Sequence, residues 1–227
     1  FRPIGFELDF SALAAPRTLP DGSMLTLSGV ADRVDGWIHN GRLYLRVVDY
    51  KTGKKSFSLS DVYYGLGLQM LLYLFSLTDA APELYSYEAV PAGVLYVPAR
   101  DVLVSAQSDL TDGEIAEKRR DALRRSGLLI NDAEVLGAME PTGSGVRLPV
   151  KWKDGAPSGE SLATAEQMGA LARHVEETLT ALASELRRGS IEADPYYKGA
   201  QENACLYCEY SAACRFVDGE GGGSLAA

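Results

Sequence analysis

The sequence lacks several features that would place it in large classes of protein. It contains no run of about 18 apolar residues, so it predicts no membrane-spanning helix. It has no charged-then-apolar leader, and we expect a cytoplasmic protein without membrane contact. The spacing G-x-x-x-x-G-K-[ST] is also missing, and the KTGKK segment at 51–55 does not replace it, so we expect no ATP site in this chain.

The chain also has fewer basic than acidic residues. The chain has 22 Lys and Arg residues against 31 Asp and Glu residues, which gives a formal net charge of -9. This balance argues against a bulk electrostatic hold on nucleic acid, so any phosphate contact is expected to be local. Basic residues do cluster at 51–55, 118–125 and 187–188, but the last two clusters are typical of solvent-exposed helix and loop faces.

Length and composition predict one folded domain with some appended structure. With 227 residues and a hydrophobic content of 46%, the chain can bury a sizeable core. We expect a core over 1–192, a Cys-rich segment over 193–218 and a flexible, Gly-rich tail over 219–227. The first residues already have strand character and the last ones are Gly-rich, so both ends are expected to be cuts in a longer protein.

Apolar periodicity predicts an α/β fold. β-branched and alternating residues indicate strands at 4–10, 24–50 and 93–99. Apolar stripes at helical spacing indicate helices at 60–78, 112–126 and 160–188, whereas Pro and Gly residues mark 140–160 as a loop. Strands followed by helices, a further strand and more helices favour a mixed central sheet.

The pair Asn40-Gly41 predicts a hairpin and sets its register. This dipeptide is preferred in two-residue type I′ loops, because both positions need a positive φ. If Asn40 and Gly41 form the loop, then His39 faces Arg42, and each earlier residue faces a later one equally far from the loop. Side chains alternate between the two faces of a strand, so the register assigns every residue of the hairpin to a face.

The two faces of this hairpin differ in character. We expect one face to pack on the core and the other, with an aromatic pair and an ion pair, to lie at the surface. The core face carries Val34 with Val47, Asp32 with Asp49, and Val30 with Lys51, and the surface face carries Trp37 with Tyr44 and Asp35 with Arg46.

The core face therefore ends in two carboxylates. Directly opposed side chains of an antiparallel pair have Cβ atoms about 4.5–5.5 Å apart, so Asp32 and Asp49 would repel each other. Lys51 cannot neutralise both, and a hard divalent cation is the economical compensation, with the backbone carbonyl of Tyr50 as a further oxygen ligand. Such a site suits metal-assisted phosphodiester hydrolysis. An ion-paired strand end is the alternative, and geometry alone does not separate the two.

Three motifs resemble a known nuclease family. The segments GVADRVD at 29–35, VVDYKTG at 47–53 and GLQMLLYLF at 67–75 are similar to the RecB-like branch of the PD-(D/E)XK nuclease superfamily. Within it, the resemblance is closest to the nuclease domain of AddB-type helicase–nuclease subunits. It implies a restriction-endonuclease-like core, a mixed central β-sheet flanked by helices, with a Cys-containing C-terminal tail.

The resemblance also implies a role for each motif residue. Asp32 and Asp49 would bind Mg²⁺ or Mn²⁺, and Lys51 would support the nucleophile or the transition state. Gln69 and Tyr73 match the family's Gln-x-x-x-Tyr motif, lie on one helix face at i and i+4, and would position the substrate. The implied activity is that of a DNA exonuclease in double-strand break repair, which cuts single strands delivered by a helicase motor and works with a partner subunit.

The three cysteines of the chain occur together in CLYCEYSAACRF at 205–216, with the spacing C-x2-C-x5-C. In a cytoplasmic protein, such clustering favours a metal or iron–sulfur site over disulfides. The resemblance implies that Cys205, Cys208 and Cys214 supply three of four ligands to a structural [4Fe-4S] cluster. The fourth cysteine of the family lies upstream and has no counterpart here, so we expect the cluster to be incomplete in this chain.

Other interpretations stay open. A zinc site of three cysteines would need His39 or His174, both distant in sequence. RecB-like nucleases also carry a histidine before the first acid; here only Glu7 precedes Asp32 as a strand-borne acid, and an exposed strand residue is its simpler interpretation. The chain by itself is therefore expected to be weakly active or inactive. The alternatives are a catalytically silent domain that serves as a DNA-binding or subunit-docking platform, and a free-standing exonuclease like those found with CRISPR spacer-acquisition systems.

Overall fold

The computed structural model describes residues 1–11, 13, 15–104, 110–140, 147–214 and 216, in two compact units, Phe1–Thr180 and Ala181–Ala227. The strands are β1 Arg2–Asp9, β2 Arg17–Thr18, β3 Met24–Leu25, β4 Val30–His39, β5 Arg42–Lys51, β6 Ala89–Pro98, β7 Ser126–Ile130, β8 Lys151–Lys153, β9 Ala156–Ser158, β10 Leu162–Ala163, β11 Tyr197–Gly199 and β12 Glu202–Asn203. The α-helices are α1 Leu59–Tyr63, α2 Gln69–Tyr85, α3 Asp112–Ala122, α4 Ala133–Met139, α5 Ala165–Arg188 and α6 Ser211–Cys214, and a 3₁₀ helix spans Ala204–Tyr207. No helix among the described residues is long and apolar enough to cross a membrane.

A six-stranded mixed sheet forms the centre of the first unit. Its strand order is β1-β4-β5-β6-β7-β10, with β5–β6 and β7–β10 parallel and the other neighbours antiparallel. The prediction of a mixed central sheet flanked by helices is confirmed. The parallel step from β5 to β6 needs a crossover, which α1 and α2 provide.

The β4–β5 hairpin has the register that the loop dipeptide predicts. Asn40 and Gly41 both have positive φ, 50° and 74°, as a type I′ turn requires. The ladder pairs His39 with Arg42 at the loop and continues without a bulge to Arg33 opposite Val48. One step further along this register, Asp32 comes opposite Asp49.

Both faces of the sheet are buried, which contradicts the expectation of a solvent-exposed second face. Alternate residues of the central strands enter two separate apolar clusters: Val47 and Val94 belong to the larger one, and Val48 and Leu95 to the smaller one. The smaller cluster also contains residues from α4 and the segment before β8. Strands with a parallel neighbour usually carry structure on both faces, and this is the physical reason for the difference.

The predicted helix over 60–78 is two helices. α1 ends at Tyr63, and the chain turns through Gly65 and Gly67, whose φ values of 82° and 66° are left-handed, before α2 begins at Gln69. Glycine adopts this conformation without the steric cost that a Cβ atom brings, so these two residues break the helical path.

The sequence-based expectations also differ from the structure in the later parts of the chain. The helix predicted over 112–126 ends at Ala122, and a strand, β7, begins at Ser126. The stretch predicted as a loop over 140–160 contains the short β8–β9 hairpin, whereas 141–146 lie outside the described residues. The expected flexible tail, 219–227, also lies outside them, and the domain limits 1–192 and 193–218 stay a prediction.

Candidate active site

Asp32 and Asp49 lie on neighbouring strands at one end of the hairpin. Alternation places Asp32 on the same face as Val34, and Asp49 on the same face as Val47, and both valines belong to the larger apolar cluster. The Lys51 ammonium group is under the electrostatic influence of both carboxylates. The structure therefore brings together the two acids and the lysine that the sequence singles out.

Asp49 is the more buried of the two acids, with 8% of its surface exposed. Its Oδ2 atom lies 2.7 Å from Lys51 Nζ in an ion pair, but among the described residues it has no hydrogen-bond partner with good alignment. The Asp49 carboxylate, 2.7 Å from the ammonium group, raises the pKa of Lys51 above its usual value.

Asp32 is held by the backbone of the opposite strand. Its Oδ2 atom accepts a hydrogen bond of 2.8 Å from the Tyr50 backbone N–H. The Tyr50 side chain is fixed in turn, because its hydroxyl oxygen accepts a hydrogen bond from Arg33 Nη1 at 3.0 Å. These contacts orient the first carboxylate toward the end of β5.

Asp35 and Arg46 form a buried ion pair on the other face of the hairpin, where we expected a surface pair. Asp35 is 0% exposed and Arg46 is 5% exposed, and the arginine donates from both Nε and Nη2 to Asp35 Oδ2. Arg33 binds the same carboxylate through Nε at 2.6 Å and Nη2 at 3.2 Å. The covering elements are remote in sequence, so only the near-continuous apolar character of β5 could have signalled the burial.

Burial has an electrostatic cost at this pair. Desolvation lowers the pKa of Arg46, although the hydrogen bonds and charge of Asp35 oppose the shift. Arg46 Nη1 is buried and has no hydrogen-bond partner in the described part of the chain, and the guanidinium group lies over the Phe1 ring at 5.0 Å. Asp35 is therefore the counter-ion on which this arginine depends.

Gln69 and Tyr73 occupy the first turns of α2. Gln69 is exposed, and its Nε2 atom donates a hydrogen bond of 3.0 Å to the Tyr73 hydroxyl. Tyr73 is buried and stacks on Phe10, with ring centroids 4.3 Å apart. The two motif residues thus contact each other, but only Gln69 is available to an outside molecule.

Glu7 lies in β1, exposed, as its simpler interpretation expected. In the β1–β4 ladder, Phe6 pairs with Arg33 and Leu8 pairs with Ala31. Glu7 therefore lies opposite Asp32 in the register. Even so, no three His, Cys, Asp or Glu side chains among the described residues are arranged to hold a metal ion. The oxygen ligands assembled here are two carboxylates.

The three cysteines line one cavity of the second unit. The 3₁₀ helix carries Cys205, Cys208 follows it directly, and Cys214 ends α6. All three are free thiols, and all three face a cavity of about 250 Å³ together with Pro195 and Phe216. Thiolates are ligands of iron and zinc, but in this part of the chain the three thiols, although they line one space, are not arranged to hold a metal ion.

A mixed sheet with paired carboxylates and a lysine at the end of one hairpin is the arrangement of a nuclease family. The model of the PD-(D/E)XK nuclease superfamily matches residues 1–215, and the chain belongs to this superfamily. The identification made from the motifs is thereby confirmed. Nucleases of this superfamily generally use divalent metal ions.

Several similar proteins are each named as a subunit of an ATP-dependent helicase/deoxyribonuclease. The protein from Clostridium acetobutylicum is 38% identical over 223 residues, which cover 95% of this chain and 19% of the relative. The protein from Clostridium kluyveri is 37% identical over 222 residues, 95% of this chain and 18% of the relative. The chain therefore spans about a fifth of the length of these relatives.

Proposed function

We propose that the chain is the nuclease domain of a helicase–nuclease subunit in DNA double-strand break repair. In this proposal it is a Mg²⁺- or Mn²⁺-dependent exonuclease that hydrolyses phosphodiester bonds of single strands delivered by the motor. The placement of Asp32, Asp49 and Lys51 on one face at the end of one hairpin is the observation that carries it. The net charge of -9 suits a module that receives DNA from its own assembly.

The charges of the site favour a bound cation. Two carboxylates face a single ammonium group, and Asp49 Oδ2 is buried without an aligned hydrogen-bond donor among the described residues. A hard divalent ion with oxygen ligands removes this imbalance, and Asp32, Asp49 and the Tyr50 carbonyl would hold it. When bound, the ion supplies polarisation of a phosphoryl oxygen and a lowered pKa for a water molecule.

The other proposed roles, charge stabilisation and substrate positioning, belong to side chains of this chain. Lys51, whose ammonium group lies 2.7 Å from Asp49 Oδ2, would act as a cation that stabilises negative charge developing on the phosphate or orients the attacking water. Gln69, exposed at the start of α2, positions the strand, and Tyr73 holds Gln69 through their hydrogen bond. Arg33 and Tyr50 keep Asp32 in place.

Metal removal tests this function in the full-length complex. Chelation of divalent ions with EDTA should abolish cleavage of a labelled strand, and Mn²⁺ or Mg²⁺ should restore it, because the ion supplies the polarised phosphoryl oxygen and the activated water. DNA binding in the absence of nucleotide serves as the control and should survive chelation. Cutting that continues in EDTA would exclude the metal-dependent mechanism, whereas DNA that is bound but never cut with any metal would favour the silent-platform alternative.

We further propose that Cys205, Cys208 and Cys214 bind three irons of a [4Fe-4S] cluster in the intact protein. The cavity shared by the three thiols supports this assignment. The fourth ligand would come from outside this chain, so the isolated chain would hold an incomplete cluster. Fully ligated clusters of this kind hold structure together and do not react with substrate.

The Cys208→Ser variant of the full-length protein should lose the broad visible absorbance of an iron–sulfur cluster and most of its bound iron. A serine hydroxyl is a poor replacement for a thiolate ligand of iron. Iron and sulfide analysis measures the loss, and Ser211→Ala, at a neighbouring residue of the same cavity, is the matched control. Unchanged iron content in the Cys208 variant would exclude the cluster assignment.

A further inference from the structure

The backbone at Gly29 approaches the Tyr73 side chain too closely for any other residue. A Cβ atom built on Gly29 would lie 2.2 Å from the Tyr73 hydroxyl oxygen and 3.2 Å from its Cζ atom. The first distance is far inside van der Waals contact. The hydroxyl therefore occupies the space that the missing side chain of Gly29 leaves free.

The Tyr73 ring has little freedom to move away from this contact. It is buried, with 8% of the residue exposed, and it stacks on the Phe10 ring at 4.3 Å. Phe10 is itself tied to the glycine, because its backbone N–H donates a hydrogen bond of 2.8 Å to the Gly29 carbonyl. Gln69 Nε2 donates to the same hydroxyl at 3.0 Å. The glycine, the tyrosine and Phe10 thus form one locked contact.

This contact lies at the start of the strand that carries the first metal-binding acid. Gly29 directly precedes β4, and Asp32 is the third residue of that strand. Ala31, between them, is buried in the larger cluster. From the side of β5, the Tyr50 backbone N–H donates a hydrogen bond to the Asp32 carboxylate. The position of Asp32 is consequently set from two sides, by β5 and by α2.

We infer that Tyr73 is a positioning residue for Asp32, acting through the backbone at Gly29, and that it does not contact DNA. The inference rests on the proposed function, in which Asp32 binds the divalent ion. Tyr73 is buried and therefore does not reach the substrate. Its hydroxyl accepts a hydrogen bond from Gln69, the residue exposed to substrate, and packs against Gly29, which precedes the strand of Asp32. A contact outside the ligand shell can govern metal affinity in this way.

A double-mutant experiment in the full-length protein, assembled in its complex, tests the inference. Gly29→Ala should weaken Mn²⁺ binding and cleavage by about 10- to 100-fold, because the new methyl group displaces Tyr73 or β4. Tyr73→Phe should change Mn²⁺ binding by less than about threefold, since the ring and its stacking remain, and should affect cleavage no more than Gln69→Ala, because only the hydrogen bond to Gln69 is lost. In the double variant the hydroxyl is gone and the nearest ring atom, Cζ, lies 3.2 Å from the new methyl carbon, so a shift of a few tenths of an ångström relieves the contact and binding should recover most of the way to that of Tyr73→Phe.

Electron paramagnetic resonance measures Mn²⁺ binding, and the Mn²⁺ sites of this domain are identified as those that disappear in Asp49→Ala. The cleavage parameters kcat and KM are measured with a single-stranded DNA substrate. Gly29 has a φ of 155°, so an alanine there is also strained, and the double variant keeps this backbone strain but lacks the collision with the hydroxyl. Gly159→Ala is the control for strain alone, because Gly159 has a φ of 140° and no atom lies closer than 3.7 Å to its added Cβ.

Each other outcome overturns the inference. If the double variant binds Mn²⁺ as weakly as Gly29→Ala, strain and not the hydroxyl contact is responsible. If Tyr73→Phe raises KM for DNA by more than Gln69→Ala does and leaves Mn²⁺ binding unchanged, Tyr73 contacts the substrate. Loss of Mn²⁺ binding in Asp49→Ala but not in Gly29→Ala overturns this inference alone, whereas unchanged binding in Asp49→Ala overturns the metal site and the proposed function with it.

Discussion

Replacing Asp49 by alanine in the full-length protein is expected to reduce DNA cleavage by this domain by about 10²- to 10³-fold or more, while DNA unwinding continues. Asp49 supplies the more buried of the two carboxylates and the partner of Lys51, so the variant loses a proposed metal ligand and the group that pairs with the lysine. In the proposed complex, unwinding would depend on ATP chemistry outside this domain and should be unaffected.

The measurement follows the two DNA strands separately, each with its own label, in the assembled complex with ATP and Mg²⁺. Asp49→Asn retains the size of the side chain and removes its charge, so it should be as inactive as the alanine variant. Asp121→Ala, at an exposed position of α3, is the matched control and should cut normally. Wild-type cutting of both strands by the Asp49 variants would refute the assignment of the site.

Replacing Asp35 by alanine should destabilise the domain by about 3–5 kcal/mol, because it leaves the buried Arg46 without its counter-ion. Arg33 also loses both of its hydrogen bonds to this carboxylate. For a domain of this size, such a loss lowers the midpoint of thermal unfolding by about 6–20 °C. Scanning calorimetry of the full-length protein, read at the transition that contains this domain, measures the shift.

Two companion variants separate burial from charge. Asp35→Leu combined with Arg46→Met replaces the buried pair by apolar groups and should recover most of the stability, since no buried charge is left unpaired. Glu176→Ala breaks the more exposed pair with Arg17, whose partners are 2.8 Å apart, and should cost less than about 1 kcal/mol. If Asp35→Ala were no more destabilising than Glu176→Ala, the buried pair would not be a structural element of the fold.

Local features of the chain were enough to predict the hairpin and the acids at its end. The turn depends on two adjacent residues, Asn40 and Gly41, that tolerate positive φ, and the register follows from their position alone. Alternation along a strand then assigns Asp32, Asp49 and Lys51 to one face without knowledge of the rest of the protein. The motifs that identify the superfamily lie within this same local frame.

Ambiguous local signals and features that depend on distant residues were predicted less well. The helix break at Gly65 and Gly67 was missed, because glycine within an apolar stripe is tolerated in many helices and is not a certain signal. The buried state of Tyr73 depends on Phe10, from a different part of the chain. An i, i+4 motif shows that two residues share a helix face, but it does not show which of them reaches the solvent.

The sequence by itself determined the turn, the strand register, the pairing of two carboxylates with a lysine and the nuclease superfamily, because each of these depends on residues close together in the chain. Only the tertiary structure decided that the second face of the sheet is covered, that Asp35 and Arg46 are buried and that Tyr73 packs against Gly29. The physical reason is that burial is a property of surfaces in contact, and the elements that cover these residues come from remote parts of the sequence.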